Sequence, residues 1–314
     1  MKEKEPEYPA FTLRIEDDMK FDCSSIENFV ADFIYQANER INSGIMEGFR
    51  ERQEIFNEAV QGAEAYDKLY HCTSIEALFS IIKNKSFRLS NLNRVNDCEE
   101  IKNINDARLR DKVFIACFTY ENNIDQKHWE EYGNDTDGVL FSVKKEWFLK
   151  KVSPLQNKDF TIYDSRDIAM NQISRDLIGS RNTEGPYYHI GNFDFLKVKY
   201  VDKKIGVQDV ESKISVTYLQ YAGIVKDREG VCSRPNKESY LKNWEEEKEI
   251  RLRINLGTTG EQQVPFDRVE IELDKTAFDE FEVRFAPSVD ETRIIEVRNK
   301  LKELLPSSNI FYLK

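Results

Sequence analysis

The chain has 314 residues, of which 40% are hydrophobic and 33% are charged, so it can bury a substantial core beneath a well-solvated surface. Its formal net charge of −11 repels phosphate backbones and disfavours broad nucleic-acid binding. The five cysteines lack CxxC spacing, which argues against a disulfide framework or a thiolate metal site and favours a reducing compartment.

The beginning of the chain, MKEKEPEYPA, is charged and lacks the apolar segment of a secretory signal. No apolar run reaches the length of a membrane span. We therefore expect a cytoplasmic protein without a membrane partner.

Two amphipathic helices are predicted first, over 26–41 and 45–63, separated by Ser43-Gly44. Together they predict an N-terminal helical hairpin, so we assign residues 1–66 to a helical extension and residues 67–314 to an α+β core domain carrying the site. The apolar stripe within residues 24–64 favours packing, with docking of a partner as the alternative.

From residue 69 onward, short strands and helices follow one another. Strands are predicted over 69–72, 87–89, 113–118, 138–143, 195–201, 250–256, 269–273, 281–285 and 310–313, with a short one earlier over 11–15. Helices are predicted over 74–84, 144–150, 166–178, 207–224 and 289–305, with a loop over 179–191. The pattern predicts an α+β fold with a mixed, mainly antiparallel sheet core flanked by helices.

The first candidate site segment is 70–74, Tyr-His-Cys-Thr-Ser. His71 ends a predicted strand, and Thr73 or Ser74 can cap the helix that follows. Side chains at strand ends project into the crevice where ligands usually bind. A structural histidine satisfied by hydrogen bonds is the commoner alternative, and with only three histidines in the chain an imidazole metal site is disfavoured.

A second segment contains the turn signal Asn96-Asp97 followed by Glu100 in the first turn of a helix, where an acid suits the helix dipole. A helix cap without chemistry is the favoured interpretation. The alternative is that these side chains hold the His71 segment through hydrogen bonds.

In a third segment, Trp129 and Tyr132 lie three residues apart on a predicted helix, so their rings share a face. The rings can stack on a flat ligand, although aromatic residues at this spacing more often belong to the core. The strand that follows contains Phe141.

The most informative segment is 244–251, Trp-Glu-Glu-Glu-Lys-Glu-Ile-Arg. From Glu249 onward apolar residues alternate with charged ones, which predicts a strand with one buried face. If the extended conformation begins at Glu247, then Glu247, Glu249 and Arg251 share the other face. Two carboxylates can stabilise an oxocarbenium-like sugar and orient an acceptor. They can equally form a solvated salt-bridge face, and the pattern leaves both interpretations open.

The order of these segments resembles a bacterial protein family of unknown function with the motifs YHYTS, NDxxE, WxxY before GV, and WxxExExR. The resemblance spans about residues 68–290 and leaves the N-terminal hairpin outside. Cys72 and Cys98 replace an aromatic residue and a proline. The matching positions are residues 70–74, Asn96-Asp97 with Glu100, Trp129 with Tyr132 and Gly138-Val139, and Trp244, Glu247, Glu249 and Arg251.

The segment LYHCTS is also similar to the first strand of NAD-using ADP-ribosyltransferases of the His–aromatic–Glu type. One branch of these enzymes has glycine where this chain has Cys72. The side chain of Cys72 would make the pocket narrower than it is in that branch. The resemblance implies a catalytic set of Glu249 as the essential carboxylate, Glu247 on the acceptor side and His71 on a ribose. It implies a cofactor-binding set of His71, Thr73, Tyr132, Phe141 and Arg251, with Tyr132 or Phe141 stacking on nicotinamide.

These resemblances imply an NAD-dependent ADP-ribosyltransferase-like enzyme or NAD glycohydrolase, acting as a bacterial toxin or phage-defence effector. NAD is the expected co-substrate, a protein, a nucleic acid or water is the acceptor, and no metal is expected. One alternative is a non-catalytic module that senses a nucleotide or binds a partner. A second is a metal-dependent nuclease using Asp97, Glu100, Glu247 and Glu249. The enzymatic hypothesis requires His71 and Glu249 to open into one cleft.

Overall fold

The structure is a computed structural model of the chain. The residues that it describes are 45–95, 111–133, 136–154, 162–164, 188–202, 224–232, 239–258 and 264–313. The chain divides into two compact units, Met1–Glu51 and Arg52–Lys314. The predicted elements that lie outside the described residues are the strand over 11–15, the first helix of the hairpin, the helix over 166–178 and nearly all of the helix over 207–224.

The described residues contain four α-helices, three of them close to their predicted positions. They are α1 (Ile45–Glu64), α2 (Ile75–Asn84), α3 (Gln126–Tyr132) and α4 (Glu291–Leu304). The predicted cap of α2 is also present, because the Ser74 hydroxyl accepts a hydrogen bond from the Ala77 amide at 3.2 Å. None of these helices combines the length and the apolarity that crossing a lipid bilayer requires.

Fifteen strands lie in the described part of the chain. They are β1 (Lys68–Ser74), β2 (Ser86–Asn91), β3 (Val113–Thr119), β4 (Gly138–Lys144), β5 (Phe148–Pro154), β6 (Ile162–Asp164), β7 (Tyr188–Lys197), β8 (Lys199–Val201), β9 (Val225–Asp227), β10 (Glu229–Cys232), β11 (Tyr240–Asn243), β12 (Glu249–Thr258), β13 (Arg268–Leu273), β14 (Glu280–Phe285) and β15 (Asn309–Tyr312). The first residues of β7 extend into the predicted loop over 179–191.

The helix predicted over residues 144–150 is wrong. Residues 144–150 do not form a helix, since Lys145–Trp147 makes a single 3₁₀ turn and β5 begins at Phe148. Trp147 and Phe148 are both buried in the core, and the extended chain that follows pairs with β13. Tertiary packing therefore overrides the helix predicted around the two aromatic residues.

Eleven of the strands form one sheet, in which β14–β15 and β6–β7 pair in parallel and the other ladders are antiparallel. Two small ribbons, β8–β9 and β10–β11, complete the described strands. The predicted α+β fold, a mixed and mainly antiparallel sheet flanked by helices, is confirmed.

The sheet forks at β3. One edge of β3 pairs with β12 from Val113 to Thr119. The other edge pairs with β1 at Thr119 and with β2 at Phe114 and Ile115. Strands β1 and β2 therefore diverge around residues 116–118, and the fork leaves an opening beside the middle of β3.

The apolar core lies on the face of the sheet that carries Ile250, Leu252 and Ile254 of β12, all fully buried. Helices α2 and α4 cover this face through buried side chains such as Leu78 and Leu301. The opposite face of β12 carries its charged residues, as the alternation of the sequence predicts.

The C-terminal half of helix α1 belongs to the second unit and packs within it. Ile55 and Ala59 are 5% and 4% exposed and contact Leu196 and Ile224 in a small cluster, while Ala63 joins the main core. The apolar stripe of this half is therefore covered, which supports packing over partner docking for residues 55–63. Residues 24–44 of the proposed docking segment lie outside the described residues.

Gly138, at the start of β4, provides a test of the close packing between β4 and its neighbours. A Cβ atom there would lie 2.7 Å from the Gly133 carbonyl oxygen and 3.0 Å from the Ala286 Cβ. We expect Gly138→Ala to lower the free energy of unfolding by about 1–3 kcal/mol, as overpacking does. Urea denaturation measures this difference.

Gly62→Ala is the matched control, because the atoms nearest the new methyl group in α1 are side-chain carbons of Lys197 at 3.1–3.7 Å and not a backbone carbonyl, so a shift of Lys197 by a few tenths of an ångström accommodates it. Alanine is favoured over glycine in a helix by about 1 kcal/mol, so this variant should be unchanged or more stable. Equal stability of the two variants would contradict the close packing around Gly138.

Candidate functional site

A cavity of about 260 Å³ lies at the fork of the sheet. Strand β3 forms its floor, and segments distant in sequence form its walls. Its lining includes Tyr70, His71 and Cys72 of β1; Arg88, Ser90 and the following Arg94; Cys117 and Thr119 of β3; His128 and Tyr132 of α3; and Lys226, Trp244, Glu247, Glu249 and Arg251.

Glu249, the first residue of β12, lies between two positively charged side chains. Its carboxylate accepts two hydrogen bonds from Arg251, at 2.8 and 3.0 Å, and the Lys226 ammonium lies 3.6 Å away. Burial opposes ionisation, but the charges of Arg251 and Lys226 prevail and lower the pKa of Glu249 to about 2. Glu249 is therefore a carboxylate at neutral pH.

Glu247 lines the same cavity but belongs to a 3₁₀ turn and not to β12. It ends a 3₁₀ turn over Trp244–Glu247, and Lys248 then adopts a left-handed conformation with φ of 48°. The extended chain therefore begins at Glu249 and not at Glu247. The two carboxylates are nevertheless neighbours, because Lys226 lies 3.3 Å from Glu247 Oε2 as well as beside Glu249.

These contacts belong to a longer row of buried charges of alternating sign. Lys242 donates to Glu247 at 2.7 Å and also pairs with Glu131, which accepts from the Tyr240 hydroxyl. Each side chain in the row is at most 7% exposed. In order, the charges are Arg251, Glu249, Lys226, Glu247, Lys242 and Glu131. Three acids and three bases therefore balance.

Trp244 separates the two lysines of this row. The Lys226 and Lys242 ammonium nitrogens lie 3.8 and 4.9 Å from its ring centroid, and the residue is 1% exposed. Cation–π contacts between desolvated groups stabilise by about 2 kcal/mol. The tryptophan thus stabilises both lysines while lining the cavity.

His71 of β1 contacts β3 across the opening of the fork. It pairs with Phe141 on β4 and turns its ring towards Phe87 and Phe118 on the apolar side of the sheet. Its Nδ1 lies 2.9 Å from the Cys117 carbonyl oxygen, which can only accept a hydrogen bond, so Nδ1 carries the proton and Nε2 is an acceptor. Burial lowers the pKa of His71 to about 4, and the imidazole is neutral at physiological pH.

The remaining predicted residues divide between the pocket and the core. Tyr132 lines the pocket and donates its hydroxyl hydrogen to Glu247; burial and the charge of Glu247 raise its pKa well above the ordinary value. Phe141 is fully buried and packs against Phe278, so the structure does not bring it to the pocket. Thr73 is also not among the described residues that line the cavity. Trp129 is buried in the core.

Several pocket residues carry no signal in the sequence. Lys226 resembles an ordinary surface lysine until the fold buries it, as does Lys242 of the adjoining row of charges, and Arg88 is indistinguishable from other strand arginines. Cys117 lies on the cavity floor, where burial and the charge of Glu249 raise the pKa of its thiol.

Within the described ranges, no group of three or more His, Cys, Asp or Glu side chains is arranged to hold a metal ion. Asp97 and Glu100, which the nuclease hypothesis requires, lie outside those ranges. The chain matches no protein-family model, no curated protein and no solved structure. The resemblances given above therefore rest on the motifs themselves.

Lys242→Met tests the buried row of charges, because it leaves Glu247 and Glu131 without their shared cation. Breaking a buried pair in this way typically costs about 3–5 kcal/mol. We expect a loss of that size in the free energy of unfolding, measured by urea denaturation at neutral pH.

Lys248→Met is the control. Lys248 is 46% exposed and pairs with Glu121 on the surface at 2.9 Å, so its loss should cost less than about 1 kcal/mol. If the two variants were equally stable, the row of charges would contribute no more than a surface pair.

The lowered pKa of His71 leads us to expect a free energy of unfolding that depends on pH. Its pKa of about 4 in the folded protein lies below the ordinary 6.5, so between these values the unfolded chain binds a proton that the folded chain does not. The free energy of unfolding should therefore fall as pH drops from about 6.5 towards about 4. His71→Gln keeps an N–H donor but does not titrate.

We expect the variant to lose less stability than the wild type between about pH 7.5 and about pH 5. Carboxylates contribute equally to both proteins and cancel in the comparison. Parallel pH profiles for the two proteins would show that His71 titrates normally.

Proposed function

We propose that the pocket binds the nicotinamide riboside half of NAD and that the protein cleaves the nicotinamide glycosidic bond, passing ADP-ribose to an acceptor or to water. The observation that carries the proposal is the meeting of His71, Tyr132 and Glu249 in one cavity. These residues come from β1, α3 and β12, and each matches a position that the resemblance to ADP-ribosyltransferases assigns to NAD.

The charge state of Glu249 suits the reaction. As the bond between ribose C1 and the nicotinamide nitrogen breaks, the electron pair leaves with nicotinamide and positive charge develops on the sugar. A fixed carboxylate in a nearly dry site stabilises that charge without reorganising. Arg251 and Lys226 keep Glu249 ionised for this role.

Glu247 and His71 take positioning roles in the proposal. Glu247 orients the attacking water or acceptor hydroxyl, whose proton is released when the new bond to C1 forms. The His71 ring lies on the apolar side of the sheet, opposite Glu249, so in the proposal its Nε2 reaches a ribose hydroxyl through the opening at the fork, as an acceptor because Nδ1 carries the proton. Tyr132 presents its ring to the pocket and is the remaining candidate for stacking on nicotinamide, because Phe141 is in the core.

The size of the cavity favours one half of the dinucleotide. Typical ligand pockets begin at about 300 Å³, and this one measures about 260 Å³. It has room for nicotinamide and its ribose, and the phosphates and adenosine would extend beyond it. A role as a bacterial toxin or phage-defence effector, acting in the cytoplasm on a protein or nucleic-acid acceptor, is proposed from the resemblance alone.

A second candidate function is nucleotide sensing without turnover. The observation that favours it is the complete pairing of both carboxylates, since Glu249 is held bidentately by Arg251 and Glu247 by two lysines. A carboxylate whose charge is already balanced by ion pairs in the unliganded protein can line a binding pocket without taking part in catalysis. This candidate predicts NAD binding in the absence of nicotinamide release.

Glu249→Gln should reduce the rate of nicotinamide release from NAD by about a hundredfold or more, because it removes the charge that stabilises the transition state. The measurement is chromatographic quantification of nicotinamide after mixing purified protein with NAD. Glu246→Gln, an exposed position in the same 3₁₀ turn, should keep the wild-type rate.

The substitution also leaves Arg251 without its partner, so folding must be separated from chemistry. The double variant Glu249→Gln/Arg251→Met removes both charges of the pair and preserves side-chain volume. A folded double variant that still released nicotinamide at the wild-type rate would refute the role of Glu249. A wild-type protein that binds NAD and releases nothing would favour the sensing function.

A further inference from the structure

The mouth of the pocket carries two arginines that the proposed reaction does not use. Arg88 lies on β2, and Arg94 ends the 3₁₀ turn that follows it. Their side chains are 50% and 57% exposed, and both line the cavity. Glu247 and Glu249, in contrast, are buried at the other end. The inner end of the cavity therefore holds buried ion pairs, and its mouth holds exposed arginines.

The two ends lie on opposite edges of β3. Strand β12 pairs with one edge and places Glu249 beside Thr119, while β2 pairs with the other edge and places Ser90 beside Ile115. Arg88 lies two residues before Ser90 and faces the same side of the sheet. Two strand spacings, about 10 Å, separate β12 from β2. One ribose and the phosphates esterified to it span a comparable distance.

The arginines are available to an anion although each has a carboxylate partner. Arg88 lies 3.8 Å from Glu270 and Arg94 lies 2.5 Å from Asp267, and all four side chains are partly exposed. Ion pairs exposed to water contribute little stability. A guanidinium has five N–H donors in a planar fork that matches phosphate oxygens, so a phosphate can bind while these pairs persist.

We infer that Arg88 and Arg94 bind the diphosphate of a nucleotide whose ribose occupies the inner pocket. The substrate class is then nucleoside diphosphates and the dinucleotides that contain them, with the Ser90 hydroxyl beside the phosphates as a further donor. The identity of the sugar end rests on the proposed function. The contact with phosphate does not require turnover.

The test compares three probes of decreasing phosphate content: NAD, nicotinamide mononucleotide and nicotinamide riboside. Affinities are measured by calorimetry for the wild type and for Arg88→Gln/Arg94→Gln. Loss of charge-assisted hydrogen bonds should weaken NAD binding by roughly tenfold to a hundredfold. The mononucleotide should lose less, and the riboside should bind the variant as it binds the wild type.

Lys151→Gln is the matched control. Lys151 pairs with Glu272 of β13, the strand that also carries the partner of Arg88, and the pair lies away from the pocket. The control removes one positive charge from the same sheet, so it should leave the affinity for all three probes unchanged. An equal loss of NAD affinity in Lys151→Gln would reduce the arginine effect to general electrostatics and overturn the inference.

The other outcomes separate the two proposals. Unchanged NAD affinity in the arginine variant, or an equal loss for all three probes, overturns the diphosphate site. Arginine-dependent NAD binding without nicotinamide release by the wild type supports the site and contradicts the proposed reaction. Nicotinamide release with a KM that the arginine substitutions do not change contradicts the site alone. A wild-type protein that binds no NAD overturns both.

Discussion

The ion pair between Glu249 and Arg251, continued through Lys226 to Glu247, places two carboxylates side by side in a wall that water hardly reaches. Neither carboxylate could remain ionised there alone, because transfer of an isolated charge from water is costly. The alternating signs of the row offset this cost, since each of the two carboxylates lies between two positive charges. The row also ties both ribbons to the large sheet, through Lys226 of β9 and Lys242 of β11.

The fork of the sheet provides the space that these charges line. Where β1 and β2 separate, the middle of β3 loses strand pairing on one edge, and the imidazole of His71 satisfies the Cys117 carbonyl there. A backbone carbonyl left unpaired in a protein interior would be destabilising. The Nδ1 contact of His71 is therefore structural, and it also defines the tautomer of the ring.

The pocket differs in character from end to end. Its inner end holds carboxylates that are ionised and paired with buried bases, beside Trp244 and Tyr132. Its mouth holds exposed arginines. A ligand that matches this gradient has a flat or sugar-like part that enters and an anionic part that stays in solvent. Nucleotides have this form. Glycosidic chemistry and nucleotide sensing share the same binding geometry and differ in whether Glu249 acts on a developing positive charge.

The local pattern of the sequence determined the secondary structure of the core and the exposed and buried faces of β12, because alternation depends only on neighbouring residues. It also identified Glu249, Glu247, His71, Tyr132 and Arg251 as polar or aromatic residues at the ends of elements, and all five line the cavity. Only the tertiary structure decided which aromatic residue reaches the pocket, since the sequence left Tyr132 and Phe141 as alternatives and packing buries Phe141 in the core. The burial of Lys226 and Lys242 likewise depends on long-range contacts, so no local pattern distinguishes these lysines from others on the surface.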